Sequence, residues 1–421
     1  MNAKVGENAV DVRAWMREEL ERLEARMALR HPVAVKAIGG GFVERGGRRL
    51  LNLASNDYLG LAQPGEYGRL SEMVGEAEED WGVGATASRL IVGTDPETEA
   101  FERDFAAYKG TESCLLFGSG YAANVGLISA LAGRNDFVFG DRLNHASIVD
   151  GAILSRARYI RYPHRDMNRL EDLLKKTPPG KRKLIVTDAV FSMDGSIAPL
   201  ADLVTLKERY GALLMVDEAH SGGVFGEEGR GLAHASGLAD KIDVQMGTFG
   251  KAFGCYGAYA AGDATVIRYV LNKARSFIYS TAPPPFLVRC IRRQWERVRQ
   301  ADDRRRRLLE NAARFRAELK RHGLDTGESE CHIVPVVLGD NARAVRVARR
   351  LEELGVCAVA IRPPTVPEGT ARLRCSPMAI HAWEDLARAV EAIALAAAES
   401  AGCGGEPERR AEAATDGEGG A

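Results

Sequence analysis

Seven cysteines in 421 residues, at positions 114, 255, 290, 331, 357, 375 and 403, form no C-x-x-C pair. A structural zinc site draws its ligands from such close pairs, so no metal is expected. The count is odd, and the N-terminus shows no charged stretch followed by an apolar leader. Both features predict reduced, buried thiols in a cytoplasmic protein. Long apolar runs are missing too: none approaches the roughly 18 residues that suggest a membrane span. Neither sign of charge is in excess. With 57 basic and 58 acidic residues the net charge is −1, which argues against a general nucleic-acid binder. One local exception is the run Arg304–Arg307. A solvated helix face is the predicted reading, and a docking patch for an acidic carrier protein is the alternative.

What is present is an ordinary globular composition, 45% apolar and 27% charged, in a chain long enough for a large core. Met16, Leu20, Leu23 and Met27 recur at helical spacing, and His31-Pro32 should end that helix. Arg49–Ser55 reads as extended, and Asn56-Asp-Tyr-Leu-Gly60 as a turn-rich junction. Between about residues 100 and 260, short apolar runs alternate with helical patterns. Predicted strands are Ser113–Phe117, Phe137–Phe139, Tyr159–Tyr162, Leu184–Thr187, Leu213–Val216 and Val244–Met246. Gly126–Leu131, Leu170–Lys175 and Leu203–Tyr210 read as parts of the intervening helices. Such alternation predicts an α/β fold whose mostly parallel sheet is covered by helices on both faces. Gly257–Gly262 could return antiparallel beside the last of these strands. After Pro283-Pro-Pro285 the pattern changes to one long charged helix over 290–322, strand Ile333–Leu338, helix Ala342–Leu354, strand Val356–Ile361, a strand near Arg372–Cys375 and helix Trp383–Ala398. The expected divisions are an N-terminal helix and arm over 1–55, a large domain over 56–290, a small α+β domain over 291–400 and a disordered tail over 401–421.

In an open parallel sheet, ligands lie beyond the carboxyl ends of the strands. The informative residues follow predicted strands: Gly118-Ser-Gly120, Asp188, Asp217 and Lys251. Lys251 stands in Thr248-Phe-Gly-Lys-Ala-Phe-Gly254. A lysine is a useful nucleophile when its amine is presented and partly desolvated, and the flanking aromatics and glycines argue against free solvation. A P-loop is excluded, because Gln245 and Ala252 stand where a glycine and a Ser/Thr are required. Asp217 and His220 follow another strand, as does His145; a capping aspartate and core histidines are the plain structural alternatives. Gly118-Ser-Gly120-Tyr-Ala-Ala123 presents backbone N–H groups at a helix start, which suits a phosphate. It also fits the dinucleotide pattern, with Asp141 as the ribose acid of a rival NAD-dependent enzyme. Near the C-terminus, Ile361-Arg-Pro-Pro-Thr-Val-Pro-Glu-Gly-Thr-Ala-Arg372-Leu-Arg374 is a proline-stiffened loop leading into a strand, a good mount for an arginine that grips a carboxylate.

Taken together, Ser55-Asn-Asp-Tyr-Leu-Gly60, Asp141-Arg-Leu-Asn-His-Ala-Ser147, Val190-Phe-Ser-Met-Asp-Gly195, Val216-Asp-Glu-Ala-His220, Gly226-Glu-Glu-Gly-Arg-Gly231 and Thr248-Phe-Gly-Lys251 resemble the α-oxoamine synthases. The resemblance spans about residues 15–395. These are pyridoxal-phosphate enzymes of the aspartate-aminotransferase-like fold (type I), with a mostly parallel large domain and a small α+β C-terminal domain. The resemblance implies that Lys251 carries the cofactor, that Asp217 and His220 hold its ring and that His145 stacks on it. It places Gly120, Tyr121 and Thr248 at the phosphate and Ser192 near a cofactor oxygen. It assigns Asn56, Thr365 and Arg374 to substrate, with Arg30 as the match for an N-terminal substrate arginine. It implies a homodimer with the site at the interface, where Ser280 and Thr281 reach the partner's phosphate. The proline-stiffened loop is most similar to that of members that condense L-alanine with a pimeloyl thioester, carried by coenzyme A or an acyl carrier protein. A glycine-using member is the alternative. Two departures, Gly82–Arg89 and the Ser-Gly-Gly after His220, fall where the family lines its substrate site.

Overall fold

The computed structural model describes residues 11–66 and 84–402. The predicted tail beyond residue 402, with Cys403, lies outside these residues, as do Gly82 and Val83. An N-terminal meander of β1 (Lys36–Gly39), β2 (Phe42–Arg45) and β3 (Arg48–Asn52) precedes the central strands. Those are β4 (Ser113–Phe117), β5 (Phe137–Asp141), β6 (Arg158–Tyr162), β7 (Lys183–Asp188), β8 (Leu213–Asp217), β9 (Val244–Thr248) and β10 (Ala258–Gly262). They form one seven-stranded sheet in the order β4-β10-β9-β8-β7-β5-β6. Only β10 runs against its neighbours, pairing Ala258 with Thr248 on one side and with Phe117 on the other. The antiparallel return read from Gly257–Gly262 is therefore present.

Strands buried on both faces feed two cores, and period-two alternation sorts them. Leu184, Val186 and Met215 pack on one face with Leu127, Ile128 and Phe277. Ile185, Leu214 and Val216 pack on the other with Leu170, Leu203 and Val204. Each such buried aliphatic side chain contributes roughly 1.5–3 kcal/mol, so both faces hold the sheet. Because β5 to β9 are parallel, their carboxyl ends share one edge. That edge receives Asp141, Asp188, Asp217 and Thr248.

The C-terminal strands are β11 (Val334–Gly339), β12 (Val356–Cys357), β13 (Val359–Ile361) and β14 (Ala371–Cys375). β11, β14 and β13 make a three-stranded sheet, whereas β12 joins the N-terminal meander beside β3. The single predicted strand Val356–Ile361 is thus two strands in two sheets, divided at Ala358. The long helix predicted over 290–322 is also two, Pro285–Arg299 and Asp302–Arg321. Buried Arg305 stabilises the break by donating to the carbonyls of Val298 and Arg299. Of the arginine run, Arg304 turns to the Leu59 carbonyl and Glu66, while Arg306 pairs with Asp303 at the surface. The solvated face accounts for only part of the run. The first helix spans Ala14–Ala25, so Met27 falls beyond it, in a left-handed conformation (φ 51°).

Glu218, next to Asp217, is fully buried, with Lys109 Nζ 2.5 Å from its Oε2. Its Oε1 accepts the Ala233 N–H at 2.9 Å, and Lys109 also donates to the Arg230 carbonyl. This pair pins the segment that carries Asp217 and His220. Removing one partner of a buried pair strands a charge, at a cost of about 3–5 kcal/mol. Urea unfolding of Lys109→Met should show a loss of that order, with most of it recovered in the double variant Lys109→Met, Glu218→Gln.

Candidate active site

Lys251 is mounted on a turn that the chain holds tightly. Phe249 and Phe253 flank it and are buried against each other, Phe105 and Tyr259. The Gly254 N–H donates to the Lys251 carbonyl at 2.8 Å, and Cys255 N–H to the Phe249 carbonyl at 2.8 Å. Gly254 has φ 62°, and a Cβ there would lie 2.9 Å from the Ala62 nitrogen, so only glycine fits. The lysine amine meets His220 Nε2 at 2.8 Å. Desolvation, aided by the Arg374 charge, lowers its pKa to about 8 against the opposing pull of Asp217 and Asp188.

A cavity of about 190 Å³ opens beside this amine. Gly120, Tyr121, Asn124, His145, Asp217, His220, Thr248 and Lys251 line it, together with Ser147, Asp188, Ala219 and Met246. Asp217 Oδ2 accepts from Asn124 Nδ2 at 2.8 Å, and Oδ1 from the Ala219 N–H at 2.9 Å. Asp188 lies opposite Asp217 in register. Burial, and then the charge of Asp217, push the Asp188 carboxyl well above its usual range. Asp188 accepts the His145 N–H at 2.9 Å, and Ser147 Oγ lies 2.7 Å from His145 Nδ1, so the imidazole is oriented at the cavity wall. His220 is buried, and desolvation followed by the Lys251 and Arg374 charges holds its pKa well below the ordinary value. It is a neutral ring.

Arg374 approaches from β14. Its Nε donates to the Ser192 carbonyl at 2.6 Å, Nη1 to Ser376 Oγ at 2.9 Å and Nη2 to the Tyr58 hydroxyl at 3.1 Å. Tyr58 also lies 2.6 Å from His220 Nδ1 and 3.0 Å from Asn56 Oδ1. Arg374, Asn56 and Ser192 are thereby joined to the cavity, Ser192 through its carbonyl. Arg30 and Thr365 meet each other elsewhere, Nη2 to Oγ1 at 3.5 Å. Ser280 and Thr281 are exposed and line a neighbouring cavity with Gly118, Ser119 and Tyr256. The Tyr121 side chain is also exposed and bonds Asp150. Asp141, the would-be ribose acid, is taken up by His164 at 3.0 Å and by the Arg165 and Leu143 N–H groups.

Sequence reasoning missed Tyr58, Asn124, His332 and Arg362, whereas Asp188, read as a carboxyl-edge residue, does line the cavity. Tyr58 stood inside the motif Ser55–Gly60, but nothing in a turn-rich hexapeptide shows that its hydroxyl meets residues from two distant segments, at His220 and Arg374. Asn124 falls one helical turn after Gly120, a spacing that could have placed it on the cavity face.

The residues fit pyridoxal phosphate. A buried carboxylate faces the cavity floor, a desolvated amine its wall, and a helix begins at its far end, where Ser119 Oγ caps the Ala122 N–H at 3.2 Å. A Cβ on Gly118 would meet no heavy atom within 4 Å, and one on Gly120 only Thr248 Cβ at 3.7 Å. The protein's own packing therefore does not demand glycine there, and the space suits close approach of a phosphate to backbone N–H groups. Asn124 Oδ1 is buried without a partner among the described residues and faces the same wall.

A family model for aminotransferases of class I and II matches residues 48–393. A Bacillus mycoides (strain KBAB4) protein named "Putative 8-amino-7-oxononanoate synthase" is 49% identical over 382 residues, covering 90% of this chain and 96% of that protein. The structure of a serine palmitoyltransferase from S. paucimobilis with pyridoxal phosphate bound has a TM-score of 0.85 at 30% identity, covering 94% of this chain and 100% of that one. An 8-amino-7-oxononanoate synthase from Francisella tularensis gives 0.72 at 29% identity, covering 84% and 99%. The dinucleotide reading of Gly118–Ala123 is overturned by these matches, since the cofactor of this family is pyridoxal phosphate. With the lysine turn, the carboxylate floor and these relatives in agreement, the chain belongs to the class I and II aminotransferase family, as a pyridoxal-phosphate-dependent α-oxoamine synthase.

Proposed function

We propose that this enzyme is an 8-amino-7-oxononanoate synthase, joining L-alanine to a pimeloyl thioester with release of carbon dioxide and the thiol, a step of biotin biosynthesis. The observation that carries the choice of acyl group is a pair of guanidinium groups, Arg30 and Arg362. Thr365 links them: its Oγ1 accepts from Arg30, and its N–H donates to the Arg362 carbonyl at 3.1 Å. Arg362 also donates to the Met27 carbonyl. Partial burial, and then the charge of Arg30, lower the Arg362 pKa. Neither arginine is paired to a carboxylate among the described residues. Two like charges held together favour an anion between them, and the free carboxylate of a pimeloyl chain is such an anion. An acetyl group offers none. The names of the relatives agree with this choice.

In the proposed reaction Arg374 clamps the alanine carboxylate, its own orientation fixed by Ser192 and Ser376. Lys251 Nζ takes the α-proton and returns a proton to carbon after carbon dioxide leaves. Asp217 is held in place by the hydrogen bonds of Asn124 and the Ala219 N–H. Pyridoxal phosphate, when bound, supplies the electron sink for the pair that the α-proton leaves behind. His145, held by Ser147 and Asp188, stands where it can polarise the thioester carbonyl as the thiol is expelled. Ser280 and Thr281 are proposed to serve the partner subunit's site across the homodimer interface, and Gly120, Tyr121 and Thr248 the phosphate in this one.

Lys251→Ala should lower kcat on the order of a thousandfold or more, read as thiol release with alanine and pimeloyl-coenzyme A; near-wild-type turnover would reject the assignment. An amine with pKa near 8 is mostly protonated at neutral pH, so kcat should rise with pH through a limb near that value and level off above it. An acid limb well below pH 7 would mean that another base is at work. Arg30→Ala combined with Arg362→Ala should raise KM for the pimeloyl thioester about 10- to 100-fold. The KM for the heptanoyl thioester, which lacks the terminal carboxylate, should stay within about twofold. Equal effects on both thioesters, or turnover confined to glycine, would favour the glycine-using alternative.

A further inference from the structure

We propose that Tyr58 is a positioning residue that couples the amino-acid carboxylate site at Arg374 to Lys251 by way of His220. The inference rests on the proposed role of Arg374. Tyr58 is fully buried, and its one hydroxyl lies within hydrogen-bond distance of three polar side chains. A phenol has one proton to give and can accept two. Arg374 Nη2, which can only donate, takes one acceptor position. The phenolic proton then has two destinations, Asn56 Oδ1 or His220 Nδ1.

Each destination fixes the next link. When Tyr58 donates to Asn56, the short contact with His220 requires Nδ1 to carry a proton. Nε2 of the neutral ring is then bare and accepts from Lys251 Nζ. When Tyr58 donates to His220, Nε2 carries the proton and points it at Lys251 Nζ, which must then be an unprotonated nitrogen. The buried chain therefore has two proton arrangements, one suited to a protonated Lys251 nitrogen and one to an unprotonated one, whether or not that nitrogen carries the cofactor. A carboxylate arriving at Arg374 draws the guanidinium toward itself and weakens its donation to Tyr58. That change reaches Lys251 along the same chain.

The packing holds Tyr58 to this task. His332 meets the tyrosine ring edge-on, with centroids 4.1 Å apart, and is itself fully buried. Neither His332 ring nitrogen has a partner among the described residues. Its contribution to the site is the ring contact, which closes off the space into which Tyr58 could swing. The charged and titratable groups that bear on Tyr58 and Lys251 are Arg374, His220, His332, His145, Cys331, Asp217 and Asp188. Of these only His220 and Arg374 hydrogen-bond the Tyr58 hydroxyl, and His332 meets the ring.

The test uses the holoenzyme and Tyr58→Phe, which keeps the ring and its contact with His332. The pH midpoint of the cofactor's visible absorbance is measured with and without propionate, an alanine analogue that has a carboxylate but no amine. In the wild-type enzyme propionate should raise the midpoint, because it cancels a positive charge near Lys251. In Tyr58→Phe that rise should fall by at least half, while the thermal midpoint and the KM for the thioester stay near wild type. An undiminished rise in the variant overturns the coupling. So does a thermal collapse of Tyr58→Phe that fluorotyrosine at position 58 cures without moving the spectral midpoint. A wild-type enzyme whose midpoint ignores propionate instead rejects the carboxylate role of Arg374, so the two failures are separable.

Discussion

Two carboxyl groups, Asp188 and Asp217, end adjacent parallel strands in register, and both are buried. Like charges directly opposite one another destabilise a sheet, so the two cannot be treated alike. Asp217 receives the donors, from Asn124 and the Ala219 N–H. Asp188 is driven towards its neutral form by burial and by that neighbour, and spends an oxygen on the His145 backbone. The division leaves Asp217, hydrogen-bonded, in the same cavity as the lysine amine. Much of the surrounding architecture serves to keep that arrangement dry. The aromatic cluster under the Lys251 turn, the buried Lys109–Glu218 pair beside Asp217 and the neutral His220 all exclude water. A desolvated lysine is the result, and a desolvated lysine is a usable base near neutral pH.

The central sheet was legible because its strands are apolar on both faces and bounded by helical patterns, which leaves little else for them to be. The carboxyl-edge residues Asp188, Asp217 and Lys251 were legible for the same reason, since each follows such a strand. Where the sequence misled, two signals overlapped. Val356–Ile361 is apolar throughout, and periodicity does not reveal that Ala358 hands the chain from one sheet to another. Residues 290–322 keep one charged helical pattern across a break that buried Arg305 stabilises from within. Tyr58 and His332 were illegible as site residues because their roles come from contacts between segments hundreds of residues apart, which no local spacing encodes.

Arg362 shows a different limit. It stands within the proline-stiffened loop, whereas Arg372 and Arg374 lie in the strand that follows, where an arginine is more firmly mounted. Arg372 turns out to be occupied by Asp194 at 2.5 Å. Arg374 is held on its backbone side, and Arg362 is the one left beside Arg30. Residue type alone could not rank three arginines in a thirteen-residue stretch; their partners do.

The pairing of Val356 with Leu51 bears on how the chain is made. The N-terminal meander acquires its fourth strand from residues that leave the ribosome some three hundred positions later, about 15–60 s at ordinary elongation rates. Tyr58 likewise waits for Arg374. During that interval the central sheet can form around its own local crossovers, but the contacts of Arg374 with Ser192, Ser376 and Tyr58 do not yet exist. Lys251 is thus in place before the strand that brings Arg374, and a truncated nascent chain displays its amine with one side of the surrounding cage still open.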